Sequence, residues 1–201
     1  TIQSVNGIPL IPGGESATGI IEDGTQLTIL VDDIDPVPEG TDLVYFVRLV
    51  GGISTTDITV PIIYSGKAVD GSDFTKVVEV IIPAGTTGAQ LKVPTLIDPL
   101  LEGDETVTVT LQDPTGAPAN IPVFLGVGDT GTGTIQDATQ LTVAIGDATK
   151  VDEGNALEYT VTLSGGTSTT DITVPLIYGG TSDPVLDIKG QPLTVTIKAG
   201  E

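Results

Sequence analysis

STTDITVP occupies residues 54–61 and occurs again, unchanged, at residues 168–175. The two copies start 114 residues apart (168 − 54), and the same distance separates Glu39 from Glu153 (153 − 39). A spacing that is held over tens of residues indicates tandem copies of one structural unit. An array of such units favours a spacer, a stalk or a polymer over an enzyme.

The repeat divides the chain into three predicted parts. TGIIEDGTQ at 18–26 parallels TGTIQDATQ at 132–140, so the first residues match the end of the complete copy. We predict the tail of a preceding repeat at 1–22, a complete repeat at 23–137 and an incomplete second repeat at 138–201. A unit of about one hundred residues is large enough to bury its own core.

The composition argues against several classes of function. Acidic residues number 27 and basic residues 7, which gives a formal net charge of −20. A nucleic-acid partner is disfavoured because phosphate binding needs a basic surface. No apolar run reaches the length of a membrane span, so membrane insertion is not expected. Cysteine and histidine are both absent, which leaves neither disulfides nor the usual ligands of zinc.

The secondary-structure pattern is that of short strands. Seven runs rich in β-branched residues are separated by turns rich in Gly, Pro and Asp. The runs are A (26–31), B (42–50), C (59–64), D (77–82), E (90–96), F (105–111) and G (131–135). Seven short strands without helices between them predict an all-β fold of tandem immunoglobulin-like antiparallel β-sandwiches.

Acidic residues are unevenly distributed over the predicted loops. Consecutive loops of an antiparallel sandwich alternate between its two ends. Loops A–B, C–D and E–F and the exit of strand G should therefore meet at one end, which we call the acidic pole. It is expected to receive eleven carboxylates: Asp32, Asp33, Asp35, Glu39, Asp70, Asp73, Asp98, Glu102, Asp104, Glu105 and Asp137. The opposite pole is expected to receive three: Asp57, Asp113 and Asp129.

A bound cation would explain this crowding of carboxylates. Like charges held together repel one another and raise one another's pKa unless something neutralises them. Calcium takes six to eight oxygen ligands in flexible geometry, which suits loops rich in Asp and Glu, whereas magnesium usually keeps several waters. The alternative is a solvated acidic surface without a metal, because Asp is a common turn residue.

Five segments resemble Calx-beta domains, which are sandwich modules of sodium–calcium exchangers, integrin β4 and many bacterial surface proteins. They follow the family's order and cover the chain from about Leu27 to Asp137. The segments are EGTDLVYFVRL (39–49), GKAVDGSDFT (66–75), IPAGTTGAQLKVPTLID (82–98), LEGDETVTVTLQDPTGA (101–117) and GTGTIQD (131–137). GSDF followed by EGDET at this distance is the most specific part of the resemblance.

The resemblance implies a Ca²⁺ site. Positions that match the ligands of calcium-binding family members are Glu39, Asp73, Asp98, Glu102, Glu105 and Asp137. The family often has consecutive aspartates after strands E and G, where this chain has Asp98-Pro99 and Asp137-Ala138, which implies one or two ions. Weaker candidates are Asp70, Asp104, Glu153 and Asp187.

We therefore expect a structural, non-enzymatic role. The expected protein is a calcium-binding extender or stalk segment of an extracellular bacterial surface or adhesion protein, with ions stiffening the junctions between neighbouring repeats. Acidic residues occur without the His, Cys or Ser-centred groups that catalysis would need.

Two further functions stay open. Residues 1–20 could complete the open sandwich at 138–201 of a neighbouring chain by strand addition, which would build a filament. The long F–G loop, residues 112–129, could present a surface for a glycan or a receptor, although aromatic residues make up only 3% of the chain.

Overall fold

The structure is a computed structural model that describes residues 4–5, 8–9, 18–19, 24, 26–119, 121–181 and 189–201. Every regular element within these ranges is a β-strand, which confirms the predicted all-β class. No helix in the described ranges is long and apolar enough to cross a membrane. The first two strands, β1 (Ser4–Val5) and β2 (Ile8–Pro9), pair with each other in antiparallel orientation.

The described residues between Leu27 and Gln136 form a β-sandwich, which we call the first sandwich. Its strands are β3 (Leu27–Val31), β4 (Val37–Pro38), β5 (Leu43–Val50), β6 (Ile58–Gly66), β7 (Glu79–Ile82), β8 (Gly88–Val93), β9 (Leu100–Leu101), β10 (Glu105–Leu111), β11 (Val123–Leu125) and β12 (Thr130–Gln136). One sheet has the order β4-β12-β10-β6-β7 and the other β11-β3-β5-β8. The predicted runs A to G correspond to β3, β5, β6, β7, β8, β10 and β12. Three short strands, β4, β9 and β11, were not predicted.

The core of the first sandwich lies between its two sheets. Alternate residues of a strand face opposite sides of the sheet, and β5 accordingly buries Leu43, Tyr45, Val47 and Leu49 while the residues between them are exposed. All the buried hydrophobic residues of the core cluster fall between Leu27 and Ile135. This part of the chain therefore has a closed core of its own.

One part of the predicted acidic pole is wrong. The first strand is split, because the chain leaves the sheet after β3 and joins the other sheet as β4, parallel to β12. Asp32 and Asp33 lie in this crossover along the side of the sandwich. Asp32 forms an ion pair with Arg48, and Asp33 accepts a hydrogen bond from the backbone N–H of Thr132. Both partners lie in the half of the sandwich nearer the opposite pole.

The second copy of the repeat forms strands with the same pairing as the first. They are β13 (Thr142–Ile145), β14 (Val161–Ser164), β15 (Thr167–Ser168), β16 (Ile172–Pro175) and β17 (Thr194–Ile197). Thr142 pairs with Ser164 as Thr28 pairs with Val50, 114 residues earlier (142 − 28 and 164 − 50). The repeat in the sequence is thus a repeat in strand register. The boundaries 1–22, 23–137 and 138–201 stay a prediction, and Asp23 lies outside the described residues.

A buried hydrogen bond supplies a test of the first sandwich. The Tyr45 hydroxyl donates to the carbonyl oxygen of Val107 at 2.8 Å and joins the two sheets through the core. We expect Tyr45→Phe to lower the free energy of unfolding by about 1–2 kcal/mol, because a buried acceptor loses its donor. Urea titration of the full chain measures this change.

The matched control is Tyr159→Phe. Tyr159 is the equivalent residue of the second copy (159 − 45 = 114), but its side chain is 53% exposed. This substitution should leave the unfolding transition unchanged. Equal effects of the two substitutions would contradict the structural role assigned to the Tyr45 hydroxyl.

Candidate metal centre

Three carboxylates from two distant loops meet at the acidic pole. Asp73 lies in the loop between β6 and β7, and Asp98 and Glu102 lie between β8 and β10, in the segment that we call the E–F loop (residues 94–104). One carboxylate oxygen from each of them lies within 4.8 Å of the other two. Such a group offers several oxygen ligands to one cation.

Asp73 is held by its own turn. Its Oδ2 accepts a hydrogen bond from the backbone N–H of Val69, while its carbonyl oxygen accepts one from Leu96 at 2.8 Å. The next residue, Phe74, is buried and packs against the ring of Tyr64. The GSDF motif therefore anchors this loop in the core and ties it to the E–F loop.

Asp98 is oriented by the start of the E–F loop. Its Oδ1 accepts a hydrogen bond from the backbone N–H of Leu100 at 2.8 Å, across the intervening Pro99. Its carbonyl oxygen accepts a hydrogen bond from the Thr139 hydroxyl at 3.1 Å. Asp98 thus connects the carboxylate group to the linker that leads into the second copy.

Asp137 ties the E–F loop to the end of β12. Its Oδ2 accepts hydrogen bonds from the backbone N–H groups of Glu102 and Gly103 at 2.8 and 2.7 Å. Its Oδ1 accepts one from Thr139 at 2.8 Å. Burial raises the pKa of Asp137, but these three donors outweigh burial and hold the pKa below its usual value. Asp137 therefore orders the loop that carries Glu102.

Glu105 is the most enclosed of the predicted glutamates. It is 8% exposed, and its Oε1 lies 3.1 Å from the ammonium group of Lys67. Its Oε2 is buried and has no hydrogen-bond partner among the residues that the structure describes. Burial raises the pKa of Glu105, and the neighbouring Asp73 carboxylate raises it further. A buried oxygen without a donor is costly unless a ligand meets it.

Glu39 and Glu102 experience the same crowding. Burial raises the pKa of Glu102 to about 7, with further contributions from the charges of Glu105, Asp73 and Asp98. Burial also raises the pKa of Glu39, followed by the charges of Asp137 and Asp98. Within the described part of the chain, the Oε2 atom of Glu39 is a second buried oxygen without a partner.

All six of the stronger candidate ligands therefore lie in one neighbourhood. The structure joins them through short contacts or through mutual effects on their pKa values. That they bind a metal stays a prediction. Lys67 is the counter-charge at this place, because its ammonium group contacts the Glu105 carboxylate and the Glu102 carbonyl oxygen, the latter at 3.2 Å. One lysine balances only one of these charges.

The four weaker candidate ligands either lie outside this group of six carboxylates or make other contacts. Asp70 is paired with Lys76, whose ammonium group lies 3.5 Å away. Asp104 is exposed and accepts a hydrogen bond from the backbone N–H of Asp137 at 3.3 Å. Glu153 lies in an exposed turn of the second copy. Asp187 lies outside the described residues.

The sequence reasoning missed the contribution of the backbone and of Thr139. This residue donates its N–H to Asp137 and its hydroxyl to the carbonyl oxygen of Asp98. The Asp-x-Thr spacing of residues 137–139 was the available signal, since an Asp side chain often accepts the N–H two residues later.

The E–F loop also contacts the second copy of the repeat directly. Strand β9 pairs with β15 in parallel orientation. The backbone N–H of Thr167 donates to the carbonyl oxygen of Pro99 at 2.9 Å, and that of Thr169 donates to Leu101 at 3.1 Å. The segment that carries Asp98 and Glu102 is therefore part of the junction between the two copies.

The arrangement suits a hard divalent cation. Its donors are carboxylate oxygens, with carbonyl groups of the same loops nearby, and the chain has no His or Cys to favour zinc. The unpartnered Oε2 atoms of Glu105 and Glu39 fit the need of calcium for several oxygen ligands.

Solved structures that align with this chain include domains of Calx. The apo-form CBD1 domain of Calx aligns at 21% sequence identity over 55% of this chain and 96% of that chain, with a TM-score of 0.45. The Calx CBD2 domain aligns at 12% identity over 61% of this chain and 93% of that one, with a TM-score of 0.48. The calcium binding domain CBD12 of CALX1.1 aligns at 19% identity over 86% of this chain and 71% of that one, with a TM-score of 0.47. No family model and no curated protein matches the sequence.

The raised pKa values predict how stability depends on pH in the absence of divalent cations. A carboxyl whose pKa is higher in the folded state stabilises the fold below its unfolded pKa of 4.5, and this contribution is lost as the pH rises through about 7 for Glu102. We therefore expect the midpoint of urea unfolding in a chelator to fall between about pH 5 and pH 8. Asp137 has the opposite sign but acts only below its usual pKa of 3.8.

Glu102→Gln should flatten this pH dependence, because the amide does not ionise. Asp113→Asn is the matched control, since Asp113 is exposed at the opposite pole. Stability that stays constant or rises from pH 5 to pH 8 would show that burial and the neighbouring carboxylates do not raise the pKa of Glu102 as the structure indicates.

Proposed function

We propose that this chain is a calcium-binding repeat segment that acts as a structural extender. Calcium would bind between Asp73, Asp98 and Glu102, with Glu105 and Glu39 as further ligands. The unpartnered, buried Oε2 of Glu105 is the observation that carries this proposal. An oxygen in this position is unfavourable in the empty fold and favourable beside a cation.

The electrostatics of the acidic pole support the same proposal. The pKa values of Glu39, Glu102 and Glu105 are all raised, which means that ionising them together costs free energy. One lysine does not neutralise this charge. A divalent cation does so and keeps the carboxylates ionised at neutral pH.

The position of the site gives calcium a mechanical role. Asp98 and Glu102 bracket the residues whose carbonyl oxygens accept hydrogen bonds from Thr167 and Thr169 of the second copy. An ion that orders the E–F loop also orders this surface of contact. Filling the site would therefore stiffen the junction between neighbouring repeats.

The setting that we propose is an extracellular bacterial surface or adhesion protein. Extracellular calcium modules have a Kd of about 10⁻⁴–10⁻³ M, so they are filled outside the cell and emptied inside it. The tandem repeat, the absence of cysteine and the net charge of −20 are compatible with a soluble stalk in this setting.

A filament subunit is the second candidate function. Side chains that are buried in the first sandwich are exposed at the equivalent positions of the second copy. Leu157 is 50% exposed and Ile145 is 57% exposed, whereas Leu43 and Val31 are 0% and 3% exposed. Strand addition by residues 1–20 of a neighbouring chain would cover this surface. Most of residues 1–20 lie outside the described residues.

The calcium proposal predicts a ligand-dependent gain in stability. Calcium at about ten times its Kd should add about 1.4 kcal/mol per site to the free energy of unfolding of the full chain. Glu105→Gln should remove most of this gain without loss of stability in chelator, because the substitution also removes a repelling charge. Paired urea titrations with calcium and with chelator measure both quantities.

Asp113→Asn, which removes one charge at the opposite pole, should keep the full response to calcium.

Hydrogen exchange distinguishes the two parts of the proposal, which are the calcium site and the stiffened junction. Slower exchange of the Thr167 and Thr169 amides with calcium would support the stiffened junction. A gain in stability without this change would leave a calcium site that has no effect on the junction, and no gain at all would exclude the site.

The filament candidate predicts self-association that does not depend on calcium. Sedimentation velocity over a range of concentrations should then show a ladder of species, and deletion of residues 1–20 should abolish it. A single monomeric species at all concentrations would exclude the filament.

A further inference from the structure

Lys67 brings a positive charge into the group of six carboxylates at the acidic pole. All seven basic residues of the chain lie within the described ranges, and among the described ion pairs Lys67 is the one that contacts this group. Its ammonium group lies 3.1 Å from the Oε1 of Glu105 and donates to the carbonyl oxygen of Glu102 at 3.2 Å. Carboxylate and carbonyl oxygens are the ligands that calcium takes from loops. The ammonium group is therefore held as a bound cation would be.

The backbone fixes the position of Lys67. The N–H groups of Lys67 and Ala68 both donate to the carbonyl oxygen of Thr106, at 3.0 and 3.1 Å. Gly66, with a φ of 126°, allows this close approach, because a Cβ there would overlap the same carbonyl group. Thr106 follows Glu105 at the start of β10. The contact between Lys67 and Glu105 therefore follows from the pairing of two strand ends.

The repeated fold does not itself require a lysine at this position. The equivalent residue of the second copy is Thr181 (181 − 67 = 114), which follows Gly180 as Lys67 follows Gly66. Gly180 has a φ of 135°, so the glycine before this position has a positive φ in both copies. The same backbone turn thus accepts a threonine. Lys67 is explained instead by its surroundings in the first sandwich, where the Glu105 carboxylate is its neighbour.

We infer that the ammonium group of Lys67 occupies one of two cation positions at the acidic pole, so that the chain binds one calcium ion fewer than its carboxylates could hold. This inference rests on the proposed calcium site between Asp73, Asp98 and Glu102, and it adds what limits the number of ions there. Glu105 would bridge the two positions. Its Oε1 contacts the ammonium group, and its Oε2, which is buried and has no hydrogen-bond partner in the described ranges, would contact the ion. Six carboxylates carry more charge than one ammonium group and one calcium ion offset, so charge alone leaves room for a second ion.

A cation that belongs to the chain also affects the state without calcium. Glu105 is 8% exposed, and a buried carboxylate that has lost its counter-charge is strongly unfavourable. Lys67 supplies this counter-charge whether or not divalent ions are present, because it cannot dissociate from the chain. Lys67 therefore stabilises the calcium-free fold and, by the same contact, reduces the dependence of the fold on calcium.

The test counts the bound ions from the effect of calcium on unfolding. Above the Kd of a site, each ion adds RT to the free energy of unfolding for every unit of the natural logarithm of the calcium concentration. Urea titrations of the full chain over a series of calcium concentrations therefore give the number of ions. Lys67→Met keeps an unbranched apolar side chain and removes the charge. We expect this variant to bind one more ion per chain than the wild type, and to have a lower midpoint of urea unfolding in chelator.

Two further variants are the controls. Lys67→Arg retains a positive charge and should bind the same number of ions as the wild type. Lys76→Met removes another exposed lysine, whose ammonium group lies 3.5 Å from Asp70 instead of contacting the six carboxylates. This second control should change neither the number of ions nor the midpoint in chelator as Lys67→Met does.

The inference is overturned if Lys67→Met and the wild type bind the same number of ions. It is also overturned if Lys67→Met stays unfolded at saturating calcium, because an ion should then take the place of the ammonium group. Failure of the proposed function has a different signature, which is a wild-type chain that does not respond to calcium. A response of Lys67→Met alone would exclude the calcium site of the wild type and still support the inference.

Discussion

Crowded negative charge at one end of the first sandwich governs both the loops around it and the contact that they make with the second copy. Strand topology brings the loops after β6 and β8 and the end of β12 to the same place, and each loop carries carboxylates there. Burial prevents water from screening them, so the pKa of Glu102 rises to about 7. A cation bound among these carboxylates would offset their repulsion and so stabilise the folded chain.

The same loop carries the charge and the contact between repeats. Pro99 and Leu101 have apolar side chains, and their backbone carbonyl oxygens accept hydrogen bonds from the second copy. Asp98 and Glu102 of the same loop belong to the acidic cluster. Asp137 and Thr139 lie where β12 leads into the linker and hold this loop from the other side. Order at the cluster and order at the junction are therefore one structural property, since both depend on the same few backbone groups.

The two copies of the repeat differ where they face different surroundings. Buried positions are retained, as Tyr45 and Tyr159 show, whereas the exposed Phe46 is replaced by Thr160. The STTDITVP block is retained completely, and in both copies it begins with a turn centred on a buried serine. In the second copy, Thr169 of this block also meets the E–F loop of the first sandwich.

The strand pattern, the repeat and the set of acidic candidates could all be predicted from the amino-acid sequence. Alternation of apolar residues, as in Leu43–Leu49, is a local property of a strand and can be read without a structure. The short strands β4, β9 and β11 could not be predicted, because two or three residues become strands only when a neighbouring edge pairs with them. Three features could be seen only in the folded chain: Asp32 turns towards Arg48, Glu105 is buried without a full set of partners, and the E–F loop meets the second copy. The reason is that burial and long-range pairing depend on residues far apart in the chain, whose distances are set only when the sheets pack.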